Sequence, residues 1–161
     1  MKILKSSFPM QRNWFSNFIP YKSPLSANGI KYATPEHFYQ ASKADLWNDH
    51  LWVAQATTPG GAKGRGRRIK VREDWDEIKL SVMEQAIRHR LLLEPEWTEK
   101  LLSEKLPIVE VNTWHDNFWG QCTCNKCKNI SGLNNLGKLL MRLREELIEN
   151  NKNVKSNNLS I

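Results

Sequence analysis

Glu36, Gln40 and Lys43 place a carboxylate, an amide and an amine at intervals of four and three residues. On an α-helix that spacing stacks side chains on one face over two turns. A carboxylate there can move a proton or stabilise developing positive charge, and a neutral amine can attack an electrophilic carbon. The same stripe could equally face solvent. Its neighbours argue otherwise, because Phe38, Tyr39, Ala41 and Ala44 give the rest of the segment a buried character. Glu36 also has a structural use, as a carboxylate favoured by a helix N-terminus. That use lowers a carboxyl pKa, the wrong direction for a general acid unless desolvation opposes it.

Three other segments carry reactive groups. Trp114-His115-Asp116-Asn117-Phe118-Trp119-Gly120 is dense in polar and aromatic side chains. Aromatic faces can stack a base or a pterin-like ring, and Asp116 can act as base or ribose anchor. The alternative is a loop pinned by two buried tryptophans. The basic run Lys63 to Arg72 contains glycines beside arginines, which allow close backbone approach to an anion and charged hydrogen bonds to phosphate. It lacks the spacing of a Walker loop, and a solvated basic loop is the plainer reading. Cys122, Cys124 and Cys127 are all the cysteines of the chain. Thiolates so closely spaced could share a zinc ion, with His115 or a side chain brought in by folding as fourth ligand. Otherwise they form a tight loop of reduced thiols, and no metal is assigned on sequence grounds.

The elements that must position these groups read as follows. The first thirty residues, rich in Pro, Asn and Ser, suggest irregular chain with short strands; Asn28-Gly29 marks a turn and Ile30-Lys31-Tyr32 a strand. Thr34-Pro35-Glu36 has the cap, the N1 proline and the first-turn acid of a helix start, which predicts a helix through Lys43 to about Trp47. A second helical stretch runs from His50 to Ala56 and ends near Pro59-Gly60-Gly61. The Gly/Arg segment follows as a loop. Asp74 to Glu77 opens a longer helix whose Ile78, Val82, Met83, Ala86 and Ile87 keep helical spacing. Pro95 ends or restarts it, giving a shorter helix from Glu96 to Leu102. Ile108 to Val111 reads as a short buried strand, and Leu136, Leu139, Leu140, Leu143 and Leu147 as the stripe of a last helix. The expectation is one helix-rich α+β domain over residues 1–149, with 150–161 a disordered, Asn/Lys-rich tail.

Composition sets wider bounds. A chain of 161 residues with 40% hydrophobic and 25% charged side chains can bury a core unaided. No stretch approaches the roughly 20 apolar residues of a membrane span, and the start does not resemble a signal peptide. A cytoplasmic protein with no membrane partner is expected. The net charge of +7 favours anionic partners without choosing among phosphates, nucleotides and nucleic acid.

With those residues in view, the chain resembles the NADAR superfamily of YbiA-like N-glycosidases. The matching blocks, in order, are Phe15-Ser16-Asn17-Phe18, Thr34 to Lys43, Lys63-Gly64-Arg65, Trp75, Asp116 to Gly120, and Asn135 to Met141. The resemblance implies a YbiA-like α+β fold, no cofactor, and cleavage of an N-glycosidic bond on ribose 5-phosphate or ADP-ribose. By resemblance Glu36, Lys43 and Asp116 are catalytic, and Asn17, Gln40, Gly64, Arg65, Trp75, Trp119 and Gly120 contact substrate. Lys43 falls at the position of a family lysine thought to attack the anomeric carbon, with Glu36 shuttling the proton and Arg65 holding phosphate. An ordinary lysine, with a pKa of about 10.4, is mostly protonated, so that role requires desolvation or a neighbouring cation. The cysteine cluster varies among relatives, and no function carries over to it.

The leading reading is hydrolysis of phosphoribosylated aminopyrimidine intermediates of riboflavin biosynthesis, releasing ribose 5-phosphate. Removal of ADP-ribose from guanine in nucleic acid uses the same chemistry on another substrate. Two readings of other classes are a non-catalytic ADP-ribose-binding module and a zinc-dependent nucleic-acid-binding protein.

Overall fold

The computed structural model describes residues 14–158. The irregular start expected for the first residues can be followed only from Trp14, since residues 1–13 lie outside the described part. Two compact units are distinguished, one of Trp14–Thr98 and one beginning at Glu99. Helices dominate, accompanied by two small two-stranded sheets, so the class is α+β.

In the first unit, β1 (Leu25–Ala27) and β2 (Ile30–Tyr32) form an antiparallel hairpin pairing Leu25 with Tyr32. Asn28 and Gly29 turn the chain with φ of 50° and 76°, the two successive left-handed residues that a two-residue hairpin needs. α1 (Pro35–Ala41) begins where expected, with the Thr34 side chain accepting from the His37 N–H. It ends sooner than expected, at Ala41 rather than near Trp47. The Ser42 hydroxyl donates back to the Phe38 carbonyl, and the backbone is then captured by another strand of chain. Asp45 N–H bonds Lys70 O, Arg72 N–H bonds Lys43 O, and Ala44 bridges Val71. The next helix, α2 (Trp47–Ala54), therefore starts at the residue where the first was expected to stop.

The Gly/Arg segment corrects a second expectation. It is not a loop but a helix, α3 (Pro59–Gly66), and the reason is its start. Thr58-Pro59 repeats the arrangement of Thr34-Pro35: the threonine side chain accepts from Gly61 N–H at 3.0 Å and proline takes the first helical position. α4 (Trp75–Leu93) buries Val82, Met83, Ala86 and Ile87 along one face. Near its end Arg90 is buried, paired with Glu94 at 3.3 Å and donating to the Ile19 carbonyl at 2.6 Å. α5 (Pro95–Ser103) starts in this unit, where Trp97 donates to the Trp14 carbonyl.

In the second unit, β3 (Val111–Asn112) and β4 (Gln121–Cys122) pair in parallel. The strand expected over Ile108 to Val111 shrinks to its last residue plus Asn112. The Asn134 side chain explains this by taking the place of a ladder partner. Its amide donates to Ile108 O at 2.9 Å and its carbonyl accepts from Glu110 N–H at 3.0 Å. α6 (Asn135–Asn158) buries Leu136, Leu139, Leu140 and Leu143, as the leucine spacing predicts. It continues past residue 150, where composition predicts a tail; nothing at that point caps or breaks the helix. No helix among the described residues is long and apolar enough to cross a membrane.

Candidate active site

The site residues of the first unit gather around α1, every residue of which is buried. Glu36 retains 7% exposure and Gln40 4%, so the stripe does not face solvent. One turn apart, the two are bonded: Gln40 Nε2 donates to Glu36 Oε1 at 2.7 Å. Asn17 joins them through its backbone, accepting from the Glu36 N–H at 3.2 Å, while its side-chain amide touches the Met83 sulfur at 3.3 Å. Among the described residues, Asn17 Oδ1 and Gln40 Oε1 are buried without a hydrogen-bond donor. A buried orphan acceptor costs about 1–3 kcal/mol, and such atoms call for an explanation.

Gly66 explains how Gln40 fits. A Cβ on Gly66 would collide with Gln40 Oε1 and lie 3.1 Å from its Cδ, so a glycine lets α3 approach the amide. Sequence reasoning missed Gly66, because reading the segment as a loop left it without a phase. The helix supplies one. Residues three apart share a face and residues two apart lie about 200° apart around the axis. Lys63 accordingly goes with Gly66, and its ammonium sits 5.9 Å from the centre of the Phe18 ring, beside Asn17. Arg65 goes with Arg68 instead, both guanidinium groups lying over Trp52. Arg65 also donates to the Trp52 carbonyl at 2.5 Å. Gly64 has open space around its Cα.

Lys43 lies just past the α1 C-cap, half-buried, rather than on the helix itself. Its Nζ is 5.4 Å from the centre of the Tyr39 ring, and Tyr39 meets the buried Trp75 edge-on at 5.0 Å. Lys43 and Trp75 are thus linked through Tyr39, while Asn17, Glu36 and Gln40 are linked by hydrogen bonds.

Asp116, Trp119 and Gly120 belong to the second unit, in the loop between β3 and β4. Parallel strands usually need a crossover of a dozen or more residues, and this loop has only 113–120. Side chains substitute for regular structure in it. Asp116 Oδ1 accepts from the N–H groups of Phe118 at 3.1 Å and Trp119 at 2.8 Å. Buried Asn112 donates to Asp116 O at 2.6 Å and accepts from Trp114 and Asp116 N–H. Asn117 Oδ1 accepts from Cys122 N–H at 2.9 Å. Gly120 leaves no room for a Cβ, which would lie 2.6 Å from Glu110 Cγ. Asn112 is a second residue the sequence did not single out; only its place at the edge of an apolar run marks it. In the same unit His115, Cys122, Cys124 and Cys127 bring one nitrogen and three sulfurs within 4.8 Å of one another.

The chain as a whole has likenesses among known proteins. The NADAR domain family matches residues 6–148. An N-glycosidase of Nostoc punctiforme is 36% identical over 138 residues, which cover 83% of this chain and 84% of that protein. N-glycosidase YbiA of Escherichia coli K12 is 30% identical over 135 residues, covering 83% and 80%. The chloroplastic riboflavin biosynthesis protein PYRR of Zea mays is 33% identical over 150 residues, covering 83% of this chain and 23% of that protein. The NMR structure of E. coli YbiA aligns with a TM-score of 0.69 at 31% identity, covering 86% of this chain and 79% of that one.

Proposed function

Because the chain belongs to the NADAR domain family and is an N-glycosidase, we propose that its substrate is a phosphoribosylated aminopyrimidine, from which it releases ribose 5-phosphate. Similarity to a riboflavin biosynthesis protein supports that choice of leaving group. The observation that carries the reading is the buried stripe itself. Asn17 Oδ1 and Gln40 Oε1 are acceptors in want of donors, and ribose hydroxyls are donors.

Glu36, oriented by Gln40, is the proton shuttle. It gives a proton to the departing aminopyrimidine, which takes the electron pair of the breaking C1–N bond. Lys43, as the neutral amine, forms a new bond to C1; the ring C1–O bond then breaks, the ring oxygen taking its electron pair and a proton from the Lys43 nitrogen, which leaves an iminium at C1. Water then adds to C1, the Lys43 amine leaves, and Glu36 recovers its proton from the water. Trp75 and Tyr39 form the apolar wall behind Lys43. Phosphate is assigned to Lys63 ahead of Arg65, since Lys63 shares a face with Gly66 while Arg65 is bonded to Trp52. The role of Asp116, orienting ribose or base, rests on the family resemblance, as do those of Trp119 and Gly120.

The test offers purified protein two substrates separately, a phosphoribosylated aminopyrimidine and ADP-ribosylated guanine in DNA or RNA, and measures released sugar. Release of ribose 5-phosphate from the first is expected. Release of ADP-ribose from the second alone would overturn the substrate and keep the chemistry. Binding of ADP-ribose with release from neither would point to a binding module.

A further inference from the structure

We propose that His115, Cys122, Cys124 and Cys127 form a structural zinc site of Cys3His type, separate from the glycosidase chemistry. Zinc takes four ligands as a tetrahedron, at about 2.3 Å from sulfur and 2.0–2.1 Å from nitrogen, which sets ligand atoms about 3.5–3.8 Å apart. The four ligand atoms here all lie within 4.8 Å of one another. His115 Nδ1 is 3.1 Å from Cys124 Sγ and 3.4 Å from Cys127 Sγ. Little movement is needed to place an ion between them.

Each ligand is delivered by a specific local structure. His115 has φ of 66°, a left-handed conformation that costs a non-glycine residue energy and needs a reason. Here that conformation accompanies a ring turned onto two sulfurs. Cys122 is fixed on β4, its N–H held by Asn117 Oδ1. Cys124 and Cys127 are joined by a turn in which Cys127 N–H and Lys128 N–H both bond Cys124 O, at 3.0 and 2.9 Å.

Three sulfurs and one imidazole select zinc among common divalent ions. The set is too soft for magnesium or calcium, and it supplies all four positions of a closed structural site. A disulfide between two of the cysteines would leave the third sulfur and His115 without a common purpose. The ion would clip together the loop that carries Asp116 and Trp119, adding to the side-chain and backbone hydrogen bonds that hold it.

The experiment measures metal in the full chain, purified under reducing conditions without added metal, and then titrates the chelator-stripped protein with cobalt. One zinc per chain is expected, along with cobalt saturation at one equivalent and the charge-transfer and d–d absorption of a tetrahedral thiolate site. Cys124→Ser should remove about one third of the charge-transfer intensity, one thiolate of three. His115→Ala should keep that band, alter the d–d bands, and weaken cobalt binding at least about tenfold. Reduced wild-type protein with neither zinc nor a cobalt spectrum would overturn the proposal, and that result needs no variant to fold. An unchanged cobalt spectrum in His115→Ala would exclude His115 as a ligand. These readouts are independent of sugar release, so the zinc site and the proposed substrate stand or fall separately.

Discussion

Glu36 is held by a neighbour that is itself incompletely satisfied, and this is what separates it from a helix-capping carboxylate. Gln40 spends its amide N–H on Glu36 and keeps a buried oxygen without a donor. A purely structural stripe would gain by replacing that amide with an apolar side chain. The account predicts that Glu36→Gln lowers kcat by about 10²–10⁴-fold, the span of general acid–base catalysis, while the protein stays folded. Steady-state kinetics beside a thermal melt check this, and a folded variant within threefold of wild type would remove Glu36 from the mechanism. At this scale the sequence was informative. The intervals between Glu36, Gln40 and Lys43 put the first two on one buried face, as the helical reading expected. It could not show that Lys43 falls beyond the cap, because that depends on residues 70–72 seizing the backbone.

At the level of elements, α3 shows how a correct local signal can be outweighed. Four glycines among residues 60–66 argue against a helix, each costing about 1 kcal/mol relative to alanine. The Thr58-Pro59 cap argues for one, and it prevails because Gly66 has packing to do that no other residue could do. Gly66→Ala should therefore destabilise by about 1–3 kcal/mol despite its better helix propensity, by displacing Gln40. Gly64→Ala, with open space around it, should be neutral or stabilise by up to about 1 kcal/mol. Chemical denaturation of the pair checks both signs; equal effects would contradict the packing. The phase of α3 also separates two cations that sequence reading had grouped. Lys63→Ala should raise KM for a phosphorylated substrate about tenfold or more, as loss of a charged hydrogen bond. Arg65→Ala should act mainly on stability, through Trp52. A larger KM effect from Arg65→Ala would reverse the assignment. The shortened strand before β3 makes the complementary point, since Asn134 replaces its ladder from a distance in sequence that no local pattern reveals.

Across the whole molecule, the α+β class and most helix starts were legible, because caps, prolines and apolar spacing are local. What was not legible depends on distant side chains meeting. Two histidines, His37 buried and His50 half-buried, tie such meetings to pH. His37 Nε2 donates to Ala56 O while its Nδ1 accepts from Thr34 Oγ1, an arrangement for neutral imidazole, and burial lowers its pKa below the ordinary value. His50, bonded to the Tyr32 hydroxyl at 2.6 Å, is lowered by burial in the same way. The unfolded chain then binds protons that the folded chain refuses. This stabilisation is full above about pH 6.5, the ordinary histidine value, and is lost as pH falls through the lowered values. Urea midpoints should accordingly decline on going from neutral to mildly acid pH, and His37→Gln should flatten that decline. A midpoint that rises on acidification would contradict the neutral assignment.

Attack of Lys43 on the anomeric carbon can be caught by reductive trapping. Borohydride added during turnover of a phosphoribosylated aminopyrimidine should leave a covalent sugar adduct on Lys43, located by peptide mass spectrometry. Lys43→Ala should neither turn over nor trap. Undiminished turnover with no adduct on Lys43 would contradict the account.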